Sequence, residues 1–260
     1  MAAKDVLERE AFNKALKDIC PLFNIVCLYK KQQDALFNFL CGRDTFVNLP
    51  TGCGKSIIFQ MAPLVASRLS NFSDESIIIV ISPLVALMKD QVSYLSKINV
   101  PAAFVIADQD KNVLKDIENG KYSIVYGSPE SMLSIDRWRK MLSSDVYQSR
   151  LIGIAVDEAH CVSNWGFSGN KGETAFRKWY ACLQELRSLL TEKLPVMALT
   201  ATASKKTKVY IHQVLSLSNP FNVNDKLLQD NITYSVQPIE KGKNLLNYFE
   251  WLINDVKKKA

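Results

Sequence analysis

One segment constrains this chain more than any other. Residues 46–56 read Phe-Val-Asn-Leu-Pro-Thr-Gly-Cys-Gly-Lys-Ser: an apolar run, a glycine-rich turn and the start of a helical pattern. Gly52 and Gly54 let the backbone curl so that successive N–H groups face one anion, and a helix N-terminus adds partial positive charge. In such a turn the lysine reaches the β- and γ-phosphates of a nucleotide and the serine hydroxyl binds Mg²⁺. The segment predicts a site for ATP and Mg²⁺ formed by Thr51, Gly52, Cys53, Gly54, Lys55 and Ser56.

The turn departs in one place from the full phosphate-loop pattern. Leu49 stands where that pattern has a further glycine. The shorter form, Pro-Thr-Gly-x-Gly-Lys-Ser, is the variant that nucleic-acid motor proteins use. The short form therefore favours a motor protein over other nucleotide-binding classes.

Around this turn, short apolar runs alternate with longer stretches of helical periodicity. The runs are nearly continuous in apolar character, as strands buried on both faces are. They occupy residues 46–49, 77–81, 102–106, 123–126, 152–156 and 196–199. The helical stretches occupy residues 56–69, 84–97, 111–119, 175–190 and 205–215. This alternation predicts an α/β fold in three layers, with a mostly parallel central sheet flanked by helices.

Two carboxylates follow the apolar run at 152–156. Asp157 and Glu158 come directly after it, and His160 is two positions further on. The carboxyl end of a strand lies in the crevice where open α/β sheets bind their ligands. One carboxylate there can hold Mg²⁺ through water, and the next can orient and deprotonate an attacking water. The pair therefore predicts Asp157 as a water-mediated Mg²⁺ ligand and Glu158 as a general base.

Charge and cysteine usage narrow the class further. Lys and Arg number 32 against 26 Asp and Glu, a net charge of +6 that permits a polyanionic partner without requiring one. The 6 cysteines include no Cys-x-x-Cys pair and there are only 2 histidines, so no zinc site is expected. The N-terminus turns charged at Lys4 and Asp5, without the apolar stretch of a secretion signal. No apolar run is long enough to span a bilayer, so neither secretion nor a membrane partner is expected.

Four further segments resemble the motifs of superfamily 2 helicases, and in particular those of the RecQ-like DNA helicases. They are Ser82 to Gln91 (SPLVALMKDQ), Tyr126 to Glu130 (YGSPE), Asp157 to Gly166 (DEAHCVSNWG) and Met197 to Ala203 (MALTATA). They are similar, in chain order, to that family's motif Ia, motif Ib, DEAH box with its aromatic-rich loop, and motif III. The resemblance covers roughly residues 20–240. It implies a RecA-like P-loop NTPase lobe.

The resemblance also implies roles for individual residues. Gln32 falls where the family has an adenine-reading glutamine, with Gln33 as the alternative. The residues implied in catalysis are Lys55, Asp157, Glu158 and His160, and those implied in coupling nucleotide state to DNA are His160, Thr200 and Thr202. The residues implied in contacting single-stranded or partly duplex DNA are Ser82, Pro83, Lys89, Ser128 and Trp165. After Trp165 the chain departs from the family: Phe167 replaces a histidine, and the loop is extended before Phe176 and Arg177.

Outside the motifs, the two ends carry their own patterns. Helical spacing over residues 5–19 predicts an N-terminal helix docked on the lobe, a strand is predicted at 232–236, and a helix at 243–258. The predicted organisation is an N-terminal segment 1–22, a RecA-like domain 23–240 and the start of a truncated second lobe at 241–260. The Lys257 to Lys259 run reads as a solvated helix end, with a nuclear address as the alternative, and the nucleus is favoured over the cytoplasm.

The function expected from these patterns is that of an ATP-dependent DNA helicase moving 3′ to 5′, with this chain as its ATP-binding first motor lobe. Such motors need an arginine from a second lobe, which can be worth 10³–10⁵ in rate. Two alternatives stay open. One is a single-lobe module that binds nucleotide and DNA with negligible turnover. The other is an RNA helicase, against which the DEAH-Cys-x-Ser-x-Trp-Gly string speaks.

Overall fold

The computed structural model describes residues 8–106, 109–162, 183–189, 194–225, 236, 238, 242 and 245–259. The chain divides into two compact units, Met1–Leu227 and Leu228–Ala260. The described strands of the first unit are β1 Thr45–Asn48, β2 Ile77–Ile81, β3 Ala102–Phe104, β4 Ile124–Gly127, β5 Leu151–Val156, β6 Val196–Thr200 and β7 Phe221–Asn224. Its described helices are α1 Arg9–Ile19, α2 Lys30–Leu40, α3 Lys55–Ala66, α4 Val85–Lys97, α5 Lys111–Glu118, α6 Pro129–Ser134, α7 Asp136–Leu142, α8 Asp145–Arg150, α9 Gln184–Ser188 and α10 Lys205–Val214. The second unit contains α11 Leu245–Tyr248 and α12 Glu250–Lys259.

The seven described strands form one sheet in the order β3-β4-β2-β5-β6-β1-β7, and every pairing between them is parallel. This confirms the predicted α/β fold with a parallel central sheet. The central strands are buried along their whole length, as in β2 and β5. Helices cover both faces and two hydrophobic clusters fill the space between them and the sheet. The near-continuous apolar runs of the sequence follow from that double coverage.

All six predicted strands of this sheet are present, and their ends match the prediction or differ from it by at most two residues. The seventh, β7, was not predicted. Two of its four residues are asparagines, and only Val223 in it is buried. Among the described residues it pairs only with β1, and its polar residues leave no continuous apolar run in the sequence.

Several helices also differ from the prediction. No helix was predicted at α2, whose first turn is polar, or in the stretch where α6, α7 and α8 follow β4. The helix predicted at 243–258 is interrupted at Phe249, between α11 and α12. The strand predicted at 232–236 lies outside the described residues apart from Val236, and so does most of the helix predicted at 175–190, of which α9 is described.

Helix α1 packs its apolar stripe into the core. Phe12, Leu16 and Ile19 are buried on one face, as the helical spacing predicted. Arg9 at its start forms an ion pair with Asp34 of α2, with 2.7 Å between Nη2 and Oδ1. The described part of the N-terminal segment is thus fixed by apolar packing and by one ion pair.

A buried ion pair closes the amino edge of the sheet. Asp44, directly before β1, is 4% exposed and accepts hydrogen bonds from Arg187 of α9, from Val196 N at 2.9 Å and from Ser218 N at 2.8 Å. Arg187 also donates to Ser216 O at 2.6 Å. Because both charges are saturated with partners, this pair holds the starts of β1 and β6 and the end of α10 together.

Candidate active site

The predicted site residues gather at one edge of the sheet because every strand runs in the same direction. The phosphate loop follows β1, Ser82 follows β2, Ser128 follows β4, Asp157 follows β5, and Thr200 ends β6. The carboxyl ends of parallel strands form one rim, which is where ligands of open α/β sheets bind. Residues far apart in sequence are therefore brought to a common surface.

The phosphate loop has the backbone form that its glycines predicted. Gly52 and Gly54 adopt φ angles of +84° and +64°, in the left-handed region that side chains rarely enter. Gly54 is also the N-cap of α3, so the loop passes directly into the helix N-terminus. A Cβ on Gly54 would lie 2.8 Å from Gln32 Nε2, so the position is restricted by packing as well as by φ.

Gln32 supports this loop from α2. Its side chain is almost fully buried; Nε2 donates to Cys53 O at 3.0 Å and to Gly54 O at 3.1 Å, and Oε1 accepts from Tyr29 N at 2.8 Å. The neighbouring Gln33 points elsewhere and donates to Leu28 O at 2.7 Å. In this structure the Gln32 carboxamide maintains the shape of the loop, and the adenine contact implied by the resemblance stays a prediction.

Lys55 lies over its own loop. Its ammonium donates to Leu49 O at 3.1 Å and to Pro50 O at 3.2 Å. These carbonyls hold the charge at the mouth of the loop, near Asp157 and Glu158, whose pKa values it acts to lower. The loop, its lysine and the strand-end acids thus form one electrostatic unit.

Asp157 is a buried carboxylate at the end of β5. It is 6% exposed, and its Oδ1 accepts a hydrogen bond from Glu158 N at 2.9 Å. Burial, followed by the charge of Glu158, raises the pKa of Asp157 to about 6, against the opposing effects of Lys55 and His160. A nearby cation would stabilise the charged form of a carboxylate in this position.

The residues present fit Mg²⁺. The Asp157 carboxylate and the Ser56 hydroxyl are hard oxygen ligands of the kind this ion prefers. In the described part of the chain, no group of three or more His, Cys, Asp or Glu side chains is placed to hold a metal.

Glu158, His160 and Thr200 form a second linked group beside Asp157. His160 Nδ1 lies 3.1 Å from Glu158 Oε2 and 3.2 Å from Thr200 Oγ1. The Thr200 hydroxyl donates to Thr202 O at 3.0 Å and accepts from Thr202 N at 3.2 Å. The end of β5 is therefore connected to the turn after β6 through His160 and Thr200. Only the resemblance had placed these two residues in one group.

Both members of the Glu158–His160 pair favour their charged forms. The hydrogen bond from His160 lowers the pKa of Glu158. The Cys161 sulfur, 3.8 Å from Nε2, and the Glu158 carboxylate raise the pKa of His160 to about 10. Glu158 itself has a φ of +47°, which is uncommon for a residue with a side chain.

A second group around Ser56 was missed by the sequence analysis. Gln91 of α4 donates from Nε2 to Ser56 Oγ at 3.3 Å. Its Oε1 accepts from the Tyr126 hydroxyl at 3.2 Å and from Gln60 Nε2. Gln91 is the last residue of the segment that resembles motif Ia, so a signal was present, but only the fold shows that its side chain faces the phosphate loop.

The predicted DNA-contacting residues are placed differently from one another. Ser82 is 2% exposed, and its Oγ has no hydrogen-bond partner among the described residues. Pro83 is buried and Lys89 is exposed on α4. Ser128 caps α6 by accepting from Ser131 N at 3.2 Å, and Trp165 lies outside the described residues. Of the four that are described, only Lys89 is exposed, and the DNA contacts stay predictions.

A phosphate loop and a strand-end Asp-Glu pair on one rim of a parallel sheet define a P-loop nucleotide-binding lobe. The sequence of residues 29–209 matches the family described as DEAD/DEAH box helicase. The chain belongs to this family, and its curated relatives include helicases of the RecQ type.

Two of these relatives illustrate the similarity. "ATP-dependent helicase SGS1" of Saccharomyces cerevisiae is 34% identical over 231 residues, which are 86% of this chain and 15% of that protein. "ATP-dependent DNA helicase RecQ" of Synechocystis is 37% identical over 196 residues, 73% of this chain and 37% of that protein. This chain therefore spans well under half the length of either relative.

The fold is also found in solved helicase structures. The crystal structure of the DUF1998 helicase MrfA superposes with a TM-score of 0.61 and 19% identity, covering 83% of this chain and 32% of that one. This similarity supports the fold. No helix in the described part of the chain has the length and apolar character needed to cross a membrane.

Proposed function

We propose that this chain is the ATP-binding first motor lobe of a RecQ-like DNA helicase that moves 3′ to 5′ along DNA. One observation carries the proposal. The Lys55 ammonium of the phosphate loop is near enough to the Asp157-Glu158 pair to act on the pKa of both carboxyl groups, and that pair is linked through His160 to the Thr200–Thr202 turn. The printed names of the relatives, ATP-dependent helicases, support the same activity.

Each residue at the rim has a defined task in this proposal. The loop backbone from Thr51 to Gly54 and the Lys55 ammonium bind the phosphates of ATP. Ser56 and Asp157, the latter through water, would hold Mg²⁺, which screens the phosphate charge when bound. The reaction is in-line attack of water on the γ-phosphate, so the protein's work is positioning and electrostatic stabilisation.

Glu158 is placed to act on the attacking water. The hydrogen bond from His160 lowers the pKa of its carboxyl group, which favours the charged form, and the carboxylate lies 3.1 Å from the imidazole. A charged, oriented carboxylate can accept a hydrogen bond from water and then its proton. The same imidazole contacts Thr200, so a change at the Glu158 side reaches the turn after β6 through two hydrogen bonds. This is the route by which we infer that nucleotide state is coupled to DNA.

DNA is proposed to lie across the turns that follow β2 and β4. Lys89 is exposed there and can contact phosphate. Ser82 is buried and Ser128 caps α6, so these two side chains can contact a DNA strand only if their turns open. The polarity of movement and the preference for DNA over RNA are inferred from the resemblance alone, and the nuclear location rests also on the Lys257 to Lys259 run.

A second candidate function is favoured by the position of Lys55. Its ammonium is held by two carbonyls of its own loop. DNA helicases of this class also need an arginine from a second lobe to stabilise the charge of the transition state. The chain alone would then bind nucleotide and DNA with negligible turnover.

The test is ATP hydrolysis by the 260-residue chain, with and without single-stranded DNA, beside Lys55→Ala and Glu158→Gln. DNA-stimulated turnover that both substitutions abolish supports the motor lobe acting alone or as a self-associating pair. Nucleotide binding that Lys55→Ala abolishes, with turnover at background, supports the binding module. Failure of the chain to bind ATP contradicts both candidate functions. Competition binding between DNA and RNA of the same sequence shows which of the two polymers the chain prefers.

A further inference from the structure

The environment of Ser56 carries an inference that rests on the proposed function and goes beyond it. We propose that Gln91 is a positioning residue for Mg²⁺ binding: its carboxamide fixes the orientation of the Ser56 hydroxyl. Gln91 lies on α4, outside the phosphate loop and outside the strand-end acids.

The structure gives Gln91 one arrangement of hydrogen bonds within this cluster. Gln91 Oε1 receives two of them, from the Tyr126 hydroxyl at 3.2 Å and from Gln60 Nε2. With Oε1 occupied by these two bonds, the amide nitrogen is the group of the carboxamide left to donate elsewhere. The amide nitrogen of Gln91 is therefore presented to Ser56, at 3.3 Å.

This contact restricts the orientation of the Ser56 hydroxyl. A hydroxyl has two lone pairs and one proton. When the Gln91 amide donates to one lone pair, the other lone pair and the proton are confined to the remaining directions. The second lone pair is then the one available to bind the metal. A rotating hydroxyl would lose this orientation, and with it part of the gain in nucleotide affinity that Mg²⁺ provides.

The cluster is built rigidly enough for this task. Gln60 is 5% exposed and Tyr126 is 1% exposed, so the two donors are fixed in the core. Burial raises the pKa of Tyr126, which keeps its hydroxyl protonated and able to donate. Gln91 itself is half-buried at the surface of α4, so its side chain can be changed without opening the core.

A double-mutant cycle measures the effect. The dissociation constant of a fluorescent ADP analogue is determined with Mg²⁺ and with EDTA for the wild-type chain, Ser56→Ala, Gln91→Met and the double variant. Methionine matches glutamine in length and has no amide donor. Gln213→Leu, at an exposed position of α10, is the matched control for replacing a glutamine.

The expected result is a loss confined to the Mg²⁺ condition. Gln91→Met should weaken Mg²⁺-dependent binding about three- to tenfold, the equivalent of one hydrogen bond to a site residue, and leave binding in EDTA unchanged. In the Ser56→Ala background the same substitution should have no further effect, because the hydroxyl it positions is absent. Tyr126→Phe, which removes one of the two orienting donors, should give a smaller loss.

Two outcomes overturn the inference: an unchanged Mg²⁺ effect in Gln91→Met, or losses from Ser56→Ala and Gln91→Met that multiply in the double variant. Equal weakening in Mg²⁺ and EDTA also overturns it, since that indicates a general structural role. Failure of the proposed function is seen separately, as a wild-type chain that does not bind nucleotide in either condition, which removes the basis for both.

Discussion

Gln32 provides the sharpest contrast between a structural role and a recognition role. The resemblance implies that it reads adenine, whereas the structure directs its Nε2 to two carbonyls of the phosphate loop, at 3.0 and 3.1 Å. Gln32→Leu removes both of these loop bonds, and also the bond that Oε1 accepts from Tyr29 N outside the loop. At about 0.5–1.5 kcal/mol for each bond, the loop loses about 1–3 kcal/mol of support in its binding conformation.

That loss converts directly into affinity if the loop must reform before it binds phosphate. One kcal/mol corresponds to about a fivefold rise in dissociation constant, which is the minimum expected. Since the loop binds phosphates and not the base, the rise should be similar for ATP, GTP and inorganic pyrophosphate. Isothermal titration of the three ligands, with Gln213→Leu as a control at an exposed glutamine, measures it.

A different pattern would refute this reasoning. If Gln32→Leu weakens ATP and leaves GTP and pyrophosphate unchanged, the residue reads adenine and its loop contacts are dispensable. Gln33→Leu supplies the remaining comparison, because a selective loss of ATP binding in that variant would assign adenine recognition to Gln33 instead.

Three further predictions concern the loop, the buried ion pair and pH. Gly54→Ala should reduce nucleotide affinity at least tenfold by titration, because φ is +64° and the new methyl would lie 2.8 Å from Gln32 Nε2; an unchanged affinity would show that the loop tolerates another path. Arg187→Met should lower the free energy of unfolding by about 3–5 kcal/mol in urea titrations, since Asp44 then remains buried without its cation; a loss below about 1 kcal/mol would mean that the two backbone donors suffice. The folded pKa of His160 is raised to about 10, so its stabilising contribution is complete below its unfolded pKa of about 6.5 and is lost as pH rises toward 10. The difference in free energy of unfolding between wild type and His160→Gln should therefore narrow between these two pH values. A difference that stays constant would contradict the raised pKa of His160.

The sheet was accessible from sequence because its strands are buried on both faces. Ile77 to Ile81 carries no polar residue, and helices on both sides of the sheet explain why. Strand β7 was not predicted, because only Val223 of its four residues is buried and its two asparagines interrupt the apolar pattern. The three short helices after β4 escaped because each has only six or seven residues, too few for a periodic pattern.

The site was predictable where backbone conformation or strand ends determine it. Glycines with positive φ mark the loop, and carboxylates directly after a buried strand mark the rim. What sequence did not provide is the direction of individual side chains. Gln32 and Gln33 are neighbours on one helix, yet only Gln32 contacts the loop, and Gln91 reaches Ser56 across 35 positions of sequence. Such contacts depend on how helices pack on the sheet, which periodicity alone does not specify.

The most direct test of the central claim is the binding of Mg²⁺-ATP to the 260-residue chain, compared with Lys55→Ala, by isothermal titration calorimetry. Our account predicts saturable binding at one site in the wild type and its loss in Lys55→Ala, with the two proteins equally folded by circular dichroism. Equal binding by both proteins, or none by the wild type, would contradict the assignment of residues 51–56 as the nucleotide site.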